Sequence, residues 1–356
     1  MACDNDVHIR IKPGRNILVQ GEYLNLKKLN CLSFEHNYYH KNLKVLHMKL
    51  LIAILILVLP VFAYSMQSQQ EPAIMSWELP MSEIDHLQFK TAGLSLNFSA
   101  WDENRIVIEV MAQRGNEMLK KEDAQLQKKL ELYEFDLKEE DKNIFFEVLT
   151  EKPSRLRRNR DNIILFVRVQ GPAQLNSLVK SESGSITLSG MHGRQELRSE
   201  GGSIRAINCT GELVANSAGG SFFVDTFQGK LSINAAEGSV RIENFNGELL
   251  AKSMGGSMSL FDISGKVTAE SDGGSIRANF IELEDNLLLK STGGSIDAVL
   301  PRDLPMTVNF SGSIVTSQPP NFQGESKKTQ VKGTINGGGI PIHIGTSGAN
   351  VRVDFR

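Results

Sequence analysis

Gly202-Ser203-Ile204 is one of seven copies of a Gly-Ser-apolar tripeptide whose spacing decides the fold of this chain. The first six copies are 18 residues apart, and the seventh follows after 20 residues. The copies begin at Gly184, Gly202, Gly220, Gly238, Gly256, Gly274 and Gly294. A fixed period of this length predicts a solenoid, in which each repeat stacks on its neighbours.

Apolar and polar residues alternate within each repeat. Ile204 and Ala206 flank Arg205, and Leu213 and Ala215 have the same spacing later in the repeat. This period of two predicts short strands with one buried face. Five repeats carry a second glycine nine residues after the first, and we interpret both glycines as corners with positive φ. The sequence therefore predicts an all-β fold, a β-helix solenoid with 18-residue coils.

The 20-residue repeat lacks the second glycine. Its turn is predicted at residues 282–286, where Asp285 and Asn286 tolerate a tight turn, and its two extra residues are predicted to form a loop on one edge. This alignment gives Ile281 the inward position that Cys209 has in its own repeat. We interpret Cys209 as a small buried hydrophobic side chain rather than a reactive thiol.

An apolar run at residues 50–63 follows Lys49 and precedes the small residue Ser65. Its 14 residues are too few to span a bilayer, because a transmembrane helix needs about 20. Residues 48–65 are therefore predicted to be a secretory signal peptide. An uncleaved signal anchor is the alternative.

Met48 is a suitable natural start for such a signal. Residues 1–47 are then interpreted as a non-native extension or a disordered segment, because their mixed charges show no sustained period. We expect the mature protein to begin near Tyr64 or Met66. Its expected location is the periplasm or the surface of a bacterium.

The charge of the chain beyond residue 65 is mildly negative. This part contains 31 Lys and Arg residues against 37 Asp and Glu residues, a net charge of −6. Such a balance argues against nucleic acid as a partner.

Residues 76–171 are predicted to form a strand-rich section with one helix. Helix-forming residues are concentrated at residues 116–129, which predicts a short amphipathic helix there. Alternating segments predict strands at residues 94–98, 106–110, 130–137, 144–149 and 163–169. The solenoid is predicted from residue 172 to 356, with the alternating C-terminal strands closing its last coil as a cap.

A basic loop lies between the last two of these predicted strands. It contains Arg155, Arg157, Arg158 and Arg160. These arginines are candidates for peripheral contact with a membrane through phosphates of lipopolysaccharide or lipid headgroups. The alternative is a solvated loop ahead of an edge strand.

The order of these segments carries a resemblance to a known family. A signal, a region of strands and a helix, Ser-x-Gly-Gly-Ser-Ile coils, and a terminal strand with Asn336-Gly337-Gly338-Gly339 occur in this order. In this order the chain resembles DUF4097, a bacterial family of adhesin-like envelope proteins with β-strand repeats. The resemblance covers roughly residues 84 to 354 and rests on repetition, not on a catalytic motif. It implies an exported protein with a β-helix-like fold, and it says less about function.

The repeats lack the residues of repeat-built enzymes and calcium sites. Left-handed β-helix acyltransferases place an aliphatic residue at every sixth position, but steps of six from Ile204 reach Thr210 and Asn216. Calcium-binding repeats of nine residues need aspartates at one shared offset. The acidic residues of these repeats, among them Asp225, Glu237, Asp262 and Asp272, share no single offset. The histidines beyond the signal lie far apart, at His86, His192 and His343. We therefore predict no enzyme, no catalytic, cofactor-binding or metal-binding residues, and no cofactor.

The position directly after each tripeptide gives the best candidate binding surface. From the second copy onward it holds Arg205, Phe223, Arg241, Ser259, Arg277 and Asp297. Because the strand points this position outward, the three arginines are predicted to lie two coils apart, roughly 9.6 Å. Arg205, Phe223, Arg241 and Arg277 are the candidate ligand-binding row, and its guanidinium groups suit anionic sugars or peptide carboxylates. The alternative is a solubilising edge, because Asp297 breaks the run of positive charge.

Two function classes follow from these features. The first is a non-enzymatic envelope protein, an adhesin-like solenoid that presents a binding surface to envelope polysaccharide or protein. The second is a periplasmic sensory or scaffold module of the envelope stress response. A carbohydrate-active enzyme is a distant third, because no face gathers acidic residues. Accessibility of the protein on intact cells distinguishes the first class from the second.

Overall fold

Strands make up 68% of the described chain. The structure is a computed structural model and describes residues 72–81, 84, 86–150 and 162–356. In this part the chain forms 23 strands and one helix, α1 (Ala124–Leu130). The strands are β1 (Met75–Pro80), β2 (His86–Thr91), β3 (Ser95–Trp101), β4 (Arg105–Arg114), β5 (Glu117–Met118), β6 (Tyr133–Glu140), β7 (Asn143–Thr150), β8 (Ile163–Pro172), β9 (Asn176–Ser181), β10 (Ile186–Ser189), β11 (Arg194–Ser199), β12 (Ile204–Ser217), β13 (Phe222–Ala235), β14 (Val240–Ser253), β15 (Met258–Ser271), β16 (Ile276–Ser291), β17 (Ile296–Leu300), β18 (Met306–Ser311), β19 (Ile314–Ser317), β20 (Phe322–Lys327), β21 (Gln330–Ile335), β22 (Ile340–Thr346) and β23 (Asn350–Phe355). The predicted all-β fold class is confirmed.

The central repeats stack as parallel coils in exact 18-residue register. Ile204 of β12 pairs with Phe222 of β13, and the same ladder continues through Val240 and Met258 to Ile276 of β16. These side chains and their partners later in each coil are buried in one continuous hydrophobic core. The alternation read from the sequence therefore gives the inward and outward faces correctly, because a strand turns successive side chains to opposite sides.

Each long strand turns a corner in its middle. Asn208, Thr226, Asn244 and Asp262 have positive φ there, and the second glycine follows three residues later, also with positive φ. This confirms the corner at the second glycine in β12 to β15. The preceding corner residue was not predicted, although Asn and Asp are the residues that adopt this conformation most readily.

The first glycine of each tripeptide has a different role from the one predicted. None of the described Gly-Ser glycines has positive φ, so their interpretation as left-handed corners is wrong. They instead lie against the backbone of the preceding coil, where a Cβ atom would collide with a carbonyl group. Glycine is required here for close approach of two backbones.

The 20-residue repeat also differs from its prediction. Its two extra residues lie within β16 as a bulge opposite Lys266, between the pairs Gly265–Leu283 and Val267–Leu287, and not in a loop on one edge. A separate irregularity earlier in β16, where Ala278 pairs with Leu260 but Phe280 pairs with Ile263, turns Phe280 inward and leaves Ile281 55% exposed. The inward position assigned to Ile281 is therefore wrong, because a bulge re-aims the side chains beside it.

The two ends of the stack are interleaved. At the N-terminal end, β2 and β3 pair in parallel with β9 and β10 on one side and with β7 and β8 on the other. At the C-terminal end, β22 and β23 lie between β16–β17 and β18–β19. The C-terminal strands thus form a coil, as predicted, but that coil lies inside the stack and the hairpin β20–β21 lies beyond it.

The N-terminal helix is shorter than predicted. Residues 117–118 form β5, and α1 begins only after Asp123, whose carboxylate accepts hydrogen bonds from the backbone N–H groups of Gln125 and Leu126. An Asp at this N-cap position marks the helix start. Strands β1 and β2 were not predicted, whereas β3, β4, β6, β7 and β8 overlap the five predicted segments.

Several sequence predictions fall outside the described residues. These are the extension at residues 1–47, the signal at residues 48–65, and Arg155, Arg157, Arg158 and Arg160 of the basic loop. The domain division at residue 172 also stays a prediction. The parallel ladder itself continues on both sides of that residue, through β8, β3 and β10.

Among the described residues, no helix combines the length and the apolar character needed to cross a membrane.

Candidate functional site

The predicted arginine row lies in a single ladder on one face of the solenoid. Arg205 pairs with Phe223, Phe223 with Arg241, and the ladder continues through Ser259 to Arg277. All three arginines are exposed, and Phe223 is half-buried. The structure therefore brings together all four residues of the row. Successive side chains are one strand spacing apart, about 4.8 Å, so the outer two arginines are roughly 19 Å apart.

Aromatic rings hold two of the guanidinium groups. The Cζ atom of Arg205 lies 4.6 Å from the centre of the Phe223 ring, and that of Arg241 lies 5.5 Å from the centre of the Phe261 ring. Such cation–π contacts restrict the long arginine side chains against the sheet. A guanidinium group that lies over a ring keeps its N–H groups as hydrogen-bond donors.

The three arginines differ in their charged neighbours. Arg241 pairs with Glu243 of its own strand, with Nε donating to Oε1 at 2.6 Å. Arg205 and Arg277 have no carboxylate within ion-pair distance among the residues that the structure describes. The ion pair with Glu243 therefore neutralises part of the charge of Arg241, whereas Asp297 lies beside Arg277 in the ladder without forming an ion pair with it.

A second outward column borders the row. It contains Ile207, Asp225, Glu243 and Phe261, which follow one another in register. Asp225 and Glu243 reduce the positive potential of the middle of the face. The surface is consequently a mixed strip, with two aromatic rings between two exposed cations.

The row extends further than the sequence indicated. Asp297 pairs with Arg352 of β23, which comes from 55 residues later in the chain. Arg352 forms an ion pair with Asp354 at 3.0 Å. At the other end, Thr187 pairs with Arg205, and Asn97 pairs with Thr187. The 18-residue period indicates Thr187, but it does not indicate Asn97 or Arg352, because the interleaved ends break that period.

The buried thiol of Cys209 is not part of this surface. Burial raises the pKa of the thiol above its ordinary value, and its side chain is 2% exposed in the core. A thiol in such surroundings is a poor nucleophile.

Within the described residues, no three His, Cys, Asp or Glu side chains lie close enough to hold a metal ion. The histidines are in separate places, His86 in β2, His192 before β11 and His343 in β22. The face described above offers donors, rings and charges for binding, but no nucleophile paired with a base.

Comparison with known proteins identifies one family. The profile of the family described as Toastrack DUF4097 matches residues 84–354. No curated protein matches the chain.

Two solved structures are similar to the chain. One is a candidate cell adhesion protein from Clostridium sporogenes ATCC 15579, with 9% identity over 79% of this chain and 98% of that protein, and a TM-score of 0.23. The other is a candidate lipid binding protein from Parabacteroides distasonis ATCC 8503, with 13% identity over 78% of this chain and 96% of that protein, and a TM-score of 0.36. At these TM-scores neither structure carries an argument about this chain.

Proposed function

The chain belongs to the Toastrack DUF4097 family, and from this premise we propose that it is a non-enzymatic exported protein of the bacterial envelope. Its function is to present an adhesin-like binding surface. The observation that carries this proposal is the exposed ladder of Arg205, Phe223, Arg241 and Arg277, held in register by the parallel sheet.

The chemistry of the row suits an extended anionic polysaccharide. An arginine presents a planar fork of N–H donors that fits a carboxylate, and the rings of Phe223 and Phe261 hold the guanidinium groups of Arg205 and Arg241 in place for that contact. Each contact is weak because it is exposed to water and salt. Several contacts in register along one chain add up to useful affinity, since linked sites bind as one multivalent ligand.

Binding to polygalacturonate, a soluble anionic polysaccharide, tests this proposal. We expect the wild-type protein to bind polygalacturonate. The dissociation constant of the triple variant Arg205→Ser, Arg241→Ser, Arg277→Ser should be at least about tenfold higher. The melting temperature of the variant should be unchanged, because exposed arginines on a strand contribute little to stability. Equal binding by the wild-type protein and a stable variant would show that the row is a solubilising edge.

Labelling of intact cells with an impermeant reagent tests the proposed location. Labelling of the intact cells supports an adhesin-like role at the surface. Protection until the outer membrane is opened would instead favour the periplasmic sensory or scaffold module. The face that carries the arginine row gives no support for an enzyme, because its described residues include no nucleophile paired with a base.

A further inference from the structure

A long groove runs over a different part of each coil from the arginine row. It has a volume of about 920 Å³ and follows the second half of the coils, where each strand enters the Ser-x-Gly-Gly turn. One wall is an in-register column of outward side chains from seven successive strands, from Lys90 in β2 to Glu270 in β15. At about 4.8 Å per strand the wall is roughly 29 Å long. The groove therefore has the dimensions of a site for an extended chain.

An asparagine pair forms the middle of this wall. Nδ2 of Asn234 donates to Oδ1 of Asn216 at 3.0 Å. That bond leaves Nδ2 of Asn216 as a donor and Oδ1 of Asn234 as an acceptor, with no partner among the described residues. One donor beside one acceptor is the arrangement that binds a pair of neighbouring hydroxyl groups, since each hydroxyl both donates and accepts.

The opposite wall of the groove has short side chains where it faces the asparagine pair. It is formed by Ala218 and Ala236, whereas the neighbouring coils have the longer Glu200 and Met254 at this position. The groove is therefore open beside the asparagine pair and narrower at both ends of it. A ring-sized group fits best against the asparagines.

The charges along the groove are balanced. Four cationic and four carboxylate side chains line it. Arg198 pairs with Glu196 at 2.7 Å, and Lys252 pairs with Glu270 at 3.1 Å. Because these pairs neutralise each other, the groove has no net charge that would select an anion or a cation. In this respect it differs from the arginine row.

An extended peptide fits the groove less well than a sugar chain. Peptides that add to a sheet do so by pairing with a free edge, but the strands below this groove are paired on both sides. The floor is formed by buried serines and Ala235 at the start of the turns, so it presents no large apolar side chain to a peptide.

We propose that this groove binds an uncharged polysaccharide, with the chain lying along the solenoid axis and its hydroxyl groups bonded to Asn216 and Asn234. This site is separate from the arginine row and does not depend on the ligand proposed for that row. It gives the protein two binding surfaces with different chemistry.

Affinity electrophoresis in gels containing dextran, laminarin, galactomannan or hydroxyethylcellulose tests the proposal on the full chain. We expect at least one of these neutral polymers to retard the wild-type protein. The double variant Asn216→Leu, Asn234→Leu should be retarded less, which corresponds to a dissociation constant about tenfold higher than that of the wild type. A second variant, Ala236→Trp, fills the open section from the other wall and should have the same effect without removing an amide.

The triple arginine variant is the matched control, because its substitutions lie on the other column and should leave retardation by neutral polymers unchanged. Absence of retardation by all four polymers would overturn the proposal. So would retardation that survives in both groove variants while they keep the wild-type melting temperature. A parallel gel containing polygalacturonate is the anionic comparison. Retardation in that gel alone, lost in the groove variants, would assign an anionic ligand to the groove and would also overturn the proposal.

Discussion

Gly220 lies against the backbone of Gly202 so closely that a Cβ atom on Gly220 would be 2.0 Å from the Gly202 carbonyl oxygen. The contact recurs between Gly238 and Gly220 at 2.1 Å, and at the same position in the following coils. No side-chain atom fits at such a distance. The Gly-Ser tripeptide therefore marks a point of close approach between neighbouring coils, which explains why its glycine is present in every repeat.

Replacing Gly220 with alanine should destabilise the solenoid strongly. The new methyl group meets backbone rather than a flexible side chain, so the coils must separate, and we expect a loss of about 3 kcal/mol in the free energy of unfolding. Urea denaturation followed by circular dichroism measures it. The adjacent substitution Gly219→Ala is the control, because its Cβ would lie 3.4 Å from the Glu200 carbonyl oxygen, an ordinary contact. Equal losses for both variants would contradict the crowding argument.

Buried serine hydroxyl groups at the ends of most coils predict opposite effects on stability for substitutions at Ser253 and Ala235. Ser253 donates from Oγ to the Gly256 carbonyl oxygen at 2.9 Å and is 4% exposed. Ser253→Ala should therefore cost about 1–2 kcal/mol, since a buried acceptor loses its partner. Ala235 occupies the same register position in the preceding coil.

Ala235→Ser should accordingly restore the missing hydroxyl and stabilise the protein by about 0.5–1 kcal/mol. Melting temperatures of the two single variants and the wild type measure both effects. A loss of stability in Ala235→Ser would show that this coil has no room for the hydroxyl group.

The repeats could be predicted from the sequence more fully than the ends. Ile204, Phe222 and Val240 share an offset, so their burial follows from local alternation alone. The position of Ile281 could not be obtained in this way, because the 20-residue spacing reveals two extra residues but not the points at which the register shifts. Likewise, the place of Arg352 beside Asp297 depends on the order in which distant segments stack, which is a property of the whole fold.

Asp123 should make the N-terminal section less stable as the pH falls into the acid range. The hydrogen bond from the Leu126 N–H and the contact with Arg114 lower the pKa of its carboxyl group. The charged form is therefore favoured in the folded state, and its contribution is present above the unfolded pKa of about 3.9 and lost as the pH falls through the lower folded pKa. Asp123→Asn keeps a capping oxygen but removes the charge.

We expect the melting temperature of Asp123→Asn to be below that of the wild type at pH 7, and the difference to shrink as the pH falls below about 4. Calorimetry at a series of pH values checks this. A difference that stays constant to low pH would exclude the carboxylate charge as its cause.

Cys209 should resist alkylation while the protein is folded. Burial both shields the thiol and raises its pKa, so the reactive thiolate is scarce. Peptide mapping after treatment with iodoacetamide should find Cys209 unmodified in the native protein and modified in urea. Because the folded pKa is raised, this group should also make the folded state less stable as the pH rises above the unfolded thiol pKa of about 8.5. Rapid modification under native conditions would show that the coil opens locally at this position.

The three arginines of the binding row should not contribute equally. Glu243 already pairs with Arg241, whereas Arg205 and Arg277 form no ion pair among the described residues, although Asp297 lies next to Arg277 in the ladder. We therefore expect Arg205→Ser and Arg277→Ser each to weaken binding of polygalacturonate more than Arg241→Ser does. Glu243→Gln should strengthen binding, because it frees the Arg241 guanidinium for the ligand and removes a repelling charge. Titrations at two salt concentrations measure these effects, since exposed charge pairs weaken as the ionic strength rises.

The salt series also separates charge from stacking. Phe223→Leu removes the ring under Arg205 and should weaken binding by a similar factor at both salt concentrations, whereas the effect of Arg277→Ser should be larger at low salt. All these side chains are at the surface, so melting temperatures should differ little from that of the wild type. If Arg241→Ser is the most harmful single change, or Glu243→Gln weakens binding, the Arg241–Glu243 pair itself forms the contact, and the unpaired outer arginines are not the basis of recognition.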